Sequence, residues 1–192
     1  MKNFRLIQKG LNLAHIYNEV MANENLFVEI PRTIKPWQPG YQHMGLQMIN
    51  MRVNNVPSDV MDNPESYKRF SDDLFCHDLE AYKLFPETRK LIYALLESVG
   101  GSHIGRLAAV RLMPGESIYG HYDTGLSAEY FSRYHIIIEG TNDNWAHCGE
   151  KDGIEEWLEM KTGEIWSFNH KLWHGFDNRS DKPRMYINVD IA

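Results

Sequence analysis

The spacing of hydrophobic and polar positions changes about halfway along the chain. Before residue 101, apolar residues recur mainly at helical spacing, and this pattern predicts a helix over residues 5–21. Residues 28–41 contain several prolines and predict an extended connector, whereas residues 42–55 predict a strand. The first half therefore combines helices with little regular sheet.

Two more helix starts are marked by proline. Asn63 precedes Pro64, which is typical of a first helical turn, and residues 64–84 predict one helix or two short ones. Pro86 begins another helix, with Leu91, Leu95 and Val99 on one face and two glycines after it.

After residue 101 the pattern becomes one of short strands separated by turn residues. We predict seven or eight strands, with residues 155–169 forming a hairpin around Gly163. The strand segments are 103–113, 117–123, 133–140, 145–148, 155–169, 171–178 and 184–192. This order predicts an α+β fold in which the helices cover one sheet of a β-sandwich, barrel or jelly roll.

Alternation along two of these strands separates an apolar face from a face with ionisable groups. Arg133 and His135 share one face of their strand, and Arg184 shares a face with Asp190. The polar faces could simply contact solvent. Alternatively, the apolar faces contact the N-terminal helices and the polar faces line the mouth of a barrel, where they meet a ligand.

Composition narrows the class of protein. The 192 residues suffice for one domain, with residues 1–101 as mainly helical support and residues 102–192 as the core. A net charge of −6 argues against nucleic acid as a partner, and no apolar stretch is long enough to predict a membrane span. Two cysteines make no disulfide framework, so we expect a reducing, cytoplasmic location.

A set of metal-binding residue types lies in the strand-rich half. His121 and Asp123 are two apart, and His174 follows on a later strand. Two imidazoles and one carboxylate are the ligand set of non-haem iron(II) oxygenases. An H-x-D pair alone is a weak signal. Arg184, ten residues after His174, could bind the far carboxylate of a 2-oxo diacid. We interpret two other histidines, His147 and His170, as surface or loop residues.

Several motifs together resemble the aspartyl/asparaginyl β-hydroxylase group of iron(II)/2-oxoglutarate-dependent oxygenases. The resemblance covers roughly residues 105–190. Its elements are Pro114-Gly115 before His121, the R-x-H of Arg133 and His135, the W-x-F-N of residues 166–169, and the H-x9-R from His174 to Arg184.

The resemblance implies a double-stranded β-helix, or jelly-roll, barrel of the cupin type. It also implies Fe(II), 2-oxoglutarate and O2 as cofactor and co-substrates, with a small molecule or a peptide as substrate. His121 and His174 would bind iron, joined by Asp123, and Arg184 would bind the 2-oxoglutarate C5 carboxylate. Arg133 and His135 would contact a carboxylate of the co-substrate or of the substrate.

The chain departs from some family members at three positions. Asp123 stands where some members have glycine, so this chain has all three candidate ligands. A serine that helps to hold 2-oxoglutarate falls at Val110, and a substrate-binding arginine falls at Phe131. The last departure argues against an aspartyl-residue substrate.

Two other functions remain open at this point. The chain could be another cupin-type metalloenzyme, although such sites favour three or four histidines and do not need Arg184. It could also be a non-catalytic jelly-roll module that binds a sugar or a peptide. H-x-D combined with H-x9-R favours the oxygenase.

Overall fold

The computed structural model describes residues 3–29, 45–55, 63–140 and 142–192. Within these ranges the strands are β1 Phe4–Gln8, β2 Val28–Glu29, β3 Leu46–Asn54, β4 Cys76–Asp78, β5 Ile104–Leu112, β6 Ser117–His121, β7 Ser132–Glu139, β8 Asn144–Gly149, β9 Glu155–Glu159, β10 Ile165–Phe168, β11 Trp173–Asn178 and β12 Arg184–Ile191. The helices are α1 Ala14–Ala22, α2 Pro64–Asp72, α3 Pro86–Ser98 and α4 Leu126–Tyr130, with short 3₁₀ turns at Glu24–Leu26 and Glu80–Leu84.

The strands form two antiparallel sheets. The larger has the order β1-β10-β7-β12-β5-β3-β2, with β4 also paired to β3, and the smaller has the order β6-β11-β8-β9. From β5 onward, the chain passes repeatedly from one sheet to the other. Among the described residues no strand of one sheet pairs with a strand of the other. The predicted closed barrel is therefore wrong: the strands form two separate sheets.

Two apolar clusters give the fold its layers. One lies between the helices and the outer face of the larger sheet, where Ile16 of α1 and Ile92 of α3 pack with Ile136 and Ile187. The other lies between the two sheets and includes Ile137 and Phe176. Neighbouring residues of β7 thus enter opposite clusters, as the alternation of the sequence predicts.

The first predicted helix is wrong in its N-terminal part. Residues 4–8 form β1, which pairs with β10 and buries Phe4 against Phe168. Leu6, which fits the helical spacing, is 39% exposed. Gly10 has a φ of 75°, and the helix begins only at Ala14.

The hairpin over residues 155–169 is also wrong. Strand β9 pairs with β8 in the smaller sheet, whereas β10 pairs with β7 and β1 in the larger one. Met160 is buried between the sheets and Ile165 beneath the helices, so the two strands serve different cores. The turn between them is a crossing from one sheet to the other.

The predicted starts of α2 and α3 are confirmed. The Asn63 side chain accepts a hydrogen bond from the Glu65 backbone N–H at 3.0 Å, and Pro64 occupies the first turn. Pro86 begins α3, and Gly100 follows it with a φ of 70°. Residues 73–84, by contrast, contain β4 and a 3₁₀ turn rather than a further α-helix.

The strand predicted within residues 42–55 is present as β3, and most of the predicted connector at residues 28–41 lies outside the described residues. No helix in the described part of the chain is both long enough and apolar enough to span a membrane.

Candidate metal centre

Strand pairing brings His121 and His174 together. His121 ends β6, His174 lies near the start of β11, and the two residues are directly opposite each other in the antiparallel pair. Their ring centroids are 4.3 Å apart. Asp123 follows His121 by two residues and therefore returns to the same side.

The three side chains form one cluster. One ligand atom from each of His121, Asp123 and His174 lies within 4.8 Å of the others. The His121 Nε2 atom is 3.6 Å from the Asp123 Oδ1 atom. The structure thus brings together the three residues that the sequence singles out, at a distance that one cation could span.

Backbone hydrogen bonds fix the orientation of both imidazoles. The Nδ1 atom of His121 lies 2.8 Å from the Tyr119 carbonyl oxygen, and that of His174 lies 2.9 Å from the Leu172 carbonyl oxygen. Because a carbonyl only accepts, each Nδ1 is the donor, and in the neutral form of each ring Nε2 then carries the lone pair. Burial, followed by the nearby His121, lowers the pKa of His174 to about 3, so this ring is neutral.

Asp123 is held in its ionised form. Burial alone would raise its pKa, but the Arg133 guanidinium, which pairs with its Oδ2 atom, and the two imidazoles more than offset this, so the pKa lies well below its usual value. Oδ1 remains directed towards His121. Two imidazoles with a carboxylate anion are the donor set that suits a ferrous ion.

His170 supports the loop that carries Asp123. Its carbonyl oxygen accepts the Asp123 backbone N–H at 3.2 Å, and its Nε2 atom lies 2.8 Å from the Ala128 carbonyl oxygen of α4. The interpretation of His170 and His147 as surface or loop residues is wrong only for His147: both are buried, at 3% and 8% exposed, but His170 does lie in a loop. His147 lies in β8, with its Nδ1 atom 3.3 Å from a Glu155 carboxylate oxygen and its ring stacked on Trp157.

A cavity of about 200 Å³ opens beside the cluster, between the two sheets. His121, Asp123 and His174 line one side of it. The inner face of the larger sheet contributes most of the remaining lining, including Arg133 and His135, and Ile118 and Phe176 of the smaller sheet complete it.

His135 is a buried member of that inner face. It is 2% exposed, and its ring lies 4.3 Å from the Tyr186 ring and 4.8 Å from the Phe176 ring, measured between centroids. Its Nδ1 atom has no hydrogen-bond partner among the described residues. Burial and the nearby Arg184 and Arg133 keep its pKa well below the usual value, so the ring is neutral.

Arg133 bonds to two carboxylates at the edge of the cluster. Its Nε and Nη2 atoms donate to Asp190, at 2.8 and 3.2 Å, and its Nη1 atom pairs with Asp123. Asp190 is the cross-strand neighbour of Arg133 and is 1% exposed. Arg133 therefore connects a candidate metal ligand to a buried carboxylate.

Arg184 is fully buried at the opposite end of β12. Its guanidinium lies beside the Phe176 and Tyr186 rings, and Nη1 donates to the Trp145 carbonyl oxygen at 3.4 Å. Its Nε atom has no hydrogen-bond partner, and no carboxylate pairs with it among the described residues. Burial lowers its pKa to about 10, which still leaves it charged at neutral pH. Phe176 and Tyr186 line the cavity, and Arg184 lies behind them.

Other polar residues of the cavity were not recognised from the sequence. Arg52 and Arg106 both line it, and Asp190 connects Arg106 to Arg133. Alternation places Asp190 on the same face as Arg184 but does not reveal its pairing with Arg106 and Arg133. Arg52 and Arg106 both follow the alternation of their strands, Arg52 with Met48 and Asn50 and Arg106 with Ala108 and Val110, but their place in the cavity depends on the pairing of strands that are distant in sequence. Of the three departures noted above, Asp123 belongs to the cluster, Val110 lines the cavity and Phe131 is buried against Gly105.

Solved structures share the fold. A prolyl-4-hydroxylase from Pseudomonas putida is 12% identical with a TM-score of 0.56, covering 98% of this chain and 91% of its own. An oxidoreductase of the 2OG-Fe(II) oxygenase family from Burkholderia pseudomallei is 10% identical with a TM-score of 0.56, covering 95% and 90%. A Trichoplax adhaerens prolyl hydroxylase, solved with a hypoxia-inducible factor peptide, is 10% identical with a TM-score of 0.60, covering 98% and 83%.

Sequence comparison identifies the family. No curated protein sequence matches the chain significantly. The family model described as aspartyl/asparaginyl beta-hydroxylase matches residues 70–192, well over half of the chain. This match begins within α2 and includes the cluster, all strands from β5 to β12 and Arg184. The chain therefore belongs to the aspartyl/asparaginyl β-hydroxylase family and is a hydroxylating dioxygenase.

Proposed function

We propose that the protein is an iron(II)- and 2-oxoglutarate-dependent hydroxylase whose iron is bound by His121, Asp123 and His174. One observation carries this proposal: two imidazole Nε2 lone pairs and an ionised carboxylate converge at the wall of a cavity. The strand-to-strand alternation between two antiparallel sheets supports a jelly-roll description of the fold.

Arg184 is the proposed partner of the 2-oxoglutarate C5 carboxylate. A buried guanidinium without a carboxylate partner is costly unless a ligand neutralises it, and a planar guanidinium suits a carboxylate. Phe176 and Tyr186 line the cavity and lie beside the Arg184 guanidinium, so the co-substrate would reach Arg184 next to these two rings. His135 offers its unpartnered Nδ1 atom to the same ligand.

Other residues position these groups and keep water away. Arg133 orients Asp123 through Oδ2 and leaves Oδ1 towards the metal position. Phe168, Phe176 and Tyr186 surround His135 and make this side of the cavity apolar. When bound, the iron with 2-oxoglutarate and O2 supplies the oxidising power that hydroxylates a C–H bond, with release of succinate and carbon dioxide.

The substrate is a small molecule or a peptide, and the single-domain organisation and cytoplasmic location remain predictions. The relative that was solved with a peptide shows only that this fold accommodates one. A cupin-type isomerase or a binding module would not need the buried charge of Arg184, which favours the 2-oxo-acid enzyme.

Succinate release tests the proposal. The protein is incubated with Fe(II), 2-oxoglutarate and O2, and succinate is measured across a panel of free amino acids and peptides. His174→Ala should abolish both tight Fe(II) binding and succinate release because it removes one of three ligands. His15→Ala, at an exposed position of α1, is the matched control and should behave as the unaltered protein. Retained Fe(II) affinity and turnover in His174→Ala would refute the assignment.

A further inference from the structure

Charged groups lie at both ends of the inner face of the larger sheet. Arg184 begins β12, and Asp190, which pairs with Arg133 and Arg106, lies near its other end. Six residues of extended strand separate Arg184 from Asp190 by about 20 Å. A five-carbon diacid held at Arg184 does not reach the second end, so the groups there are available to another molecule.

The two arginines that share Asp190 differ in how many of their guanidinium nitrogens make hydrogen bonds. Arg133 bonds to Asp190 through two nitrogens and to Asp123 through a third. Arg106 makes a single hydrogen bond, from Nε to Asp190 Oδ2 at 3.0 Å. Among the described residues, its two terminal nitrogens have no partner, although the side chain lines the cavity and is 28% exposed.

Of Arg52, Arg106 and Arg133, Arg106 has the least negative charge beside its guanidinium among the described residues. Asp190 is shared between two guanidiniums, and Asp123 is a proposed metal ligand. Arg52, which also lines the cavity, pairs with Asp78 and donates to backbone carbonyls of residues 76, 104 and 105. An anion beside Arg106 would complete this arrangement, and the free edge of its guanidinium matches a carboxylate.

We propose that Arg106 is the substrate anchor and binds a carboxylate of the molecule that is hydroxylated. This inference rests on the proposed function, because it assumes that the metal and 2-oxoglutarate occupy the other parts of the site. The carboxylate could belong to a free amino acid, to the C-terminus of a peptide or to an acidic side chain within one. Asp190 is then a positioning residue that fixes the Arg106 side chain through Nε.

Matched acids and amides test this proposal. Free amino acids, peptides with a free C-terminus and C-terminally amidated peptides with an internal Asp or Glu are each compared with the corresponding primary amides. Two readouts are used: substrate-dependent succinate release, and equilibrium binding to the Mn(II)- and 2-oxoglutarate-loaded protein by calorimetry. The arm that responds identifies the source of the carboxylate.

The unaltered protein should prefer an acid over its amide by about 10- to 100-fold, the usual size of a hydrogen-bonded charge contact. Arg106→Gln should bring this ratio close to one, and Arg106→Lys should restore part of it. Arg111→Gln is the control, because Arg111 is on the same strand and contacts Gln47 and Glu24 instead of lining the cavity. It should keep the full preference.

Equal responses to acid and amide, no response to any acid, or an unchanged ratio in Arg106→Gln would overturn the proposal. The two readouts separate it from the proposed function. Acid-selective binding without succinate release would support the anchor and contradict the reaction. Succinate release without acid preference would contradict the anchor and leave the reaction standing.

Discussion

At the scale of single residues, the site is defined by which buried polar atoms have hydrogen-bond partners and which do not. His121 and His174 each direct Nδ1 to a backbone carbonyl, which fixes the orientation of both rings in the cluster. His135 Nδ1 and Arg184 Nε are buried and find no partner in the described part of the chain, and such atoms cost about 1–3 kcal/mol each. A bound co-substrate would remove part of that cost.

Arg184→Gln tests the role of the buried Arg184 guanidinium. We expect the KM for 2-oxoglutarate to rise about 10- to 100-fold, because a charged contact to its C5 carboxylate is lost. Fe(II) binding, measured separately by anaerobic titration, should persist because Arg184 does not contact the three ligands. Arg179→Gln, at a neighbouring arginine that pairs with Asp177 on the surface, is the control. An unchanged KM would make Arg184 a structural residue.

At the scale of elements, several contacts join parts of the chain that are far apart in sequence. The carboxylate of Glu19 in α1 accepts hydrogen bonds from the Glu87 and Thr88 backbone N–H groups, at 2.7 and 2.9 Å, and from Thr88 Oγ1 at 2.6 Å. It therefore caps the N-terminus of α3, whose own preceding residue, Phe85, provides no side-chain cap. The two helices are thereby fixed side by side over the larger sheet.

Glu19→Ala should lower the free energy of unfolding by about 1–2 kcal/mol, the usual cost of losing a helix cap. For a chain of this size, the melting temperature should fall by about 2–8 °C. Asn18→Ala, at the neighbouring exposed position of α1, is the control and should change little. Equal effects of the two substitutions in thermal unfolding would show that Glu19 is not a cap.

The sequence predicts local features of the fold better than distant pairings. Alternation identified β7 and β12 and the faces of Arg133, His135 and Arg184, because a strand shows its period within a few residues. It failed for β9 and β10, since the choice of partner strand depends on burial in two different cores. Glu19 and Arg106 were missed because their partners lie 68 and 84 residues away.

At the scale of the whole molecule, the site couples the two sheets. The candidate ligands come from β6, β11 and the residues just after β6, all belonging to or leaving the smaller sheet. Arg133, His135 and Arg184 come from the larger sheet. A metal with 2-oxoglutarate would bridge both, so ligand binding should stabilise the complete fold.

Thermal unfolding with Mn(II) and 2-oxoglutarate measures this coupling. At ligand concentrations about 100-fold above Kd, stability should rise by about 2.7 kcal/mol, which corresponds to an increase in melting temperature of about 5–10 °C. His174→Ala should lose most of the increase. A melting temperature that does not respond to the ligands in the unaltered protein would contradict a site shared between the sheets.

An anaerobic titration tests the central claim most directly. Fe(II) chelated by 2-oxoglutarate gives a visible charge-transfer absorption that neither component gives alone, so its amplitude counts assembled sites. We predict saturation at one Fe(II) per chain, no band in His174→Ala, and a band in Arg184→Gln that needs more 2-oxoglutarate. Absence of the band in the unaltered protein, or its full retention in His174→Ala, would contradict the assignment of His121, Asp123 and His174 as the iron ligands.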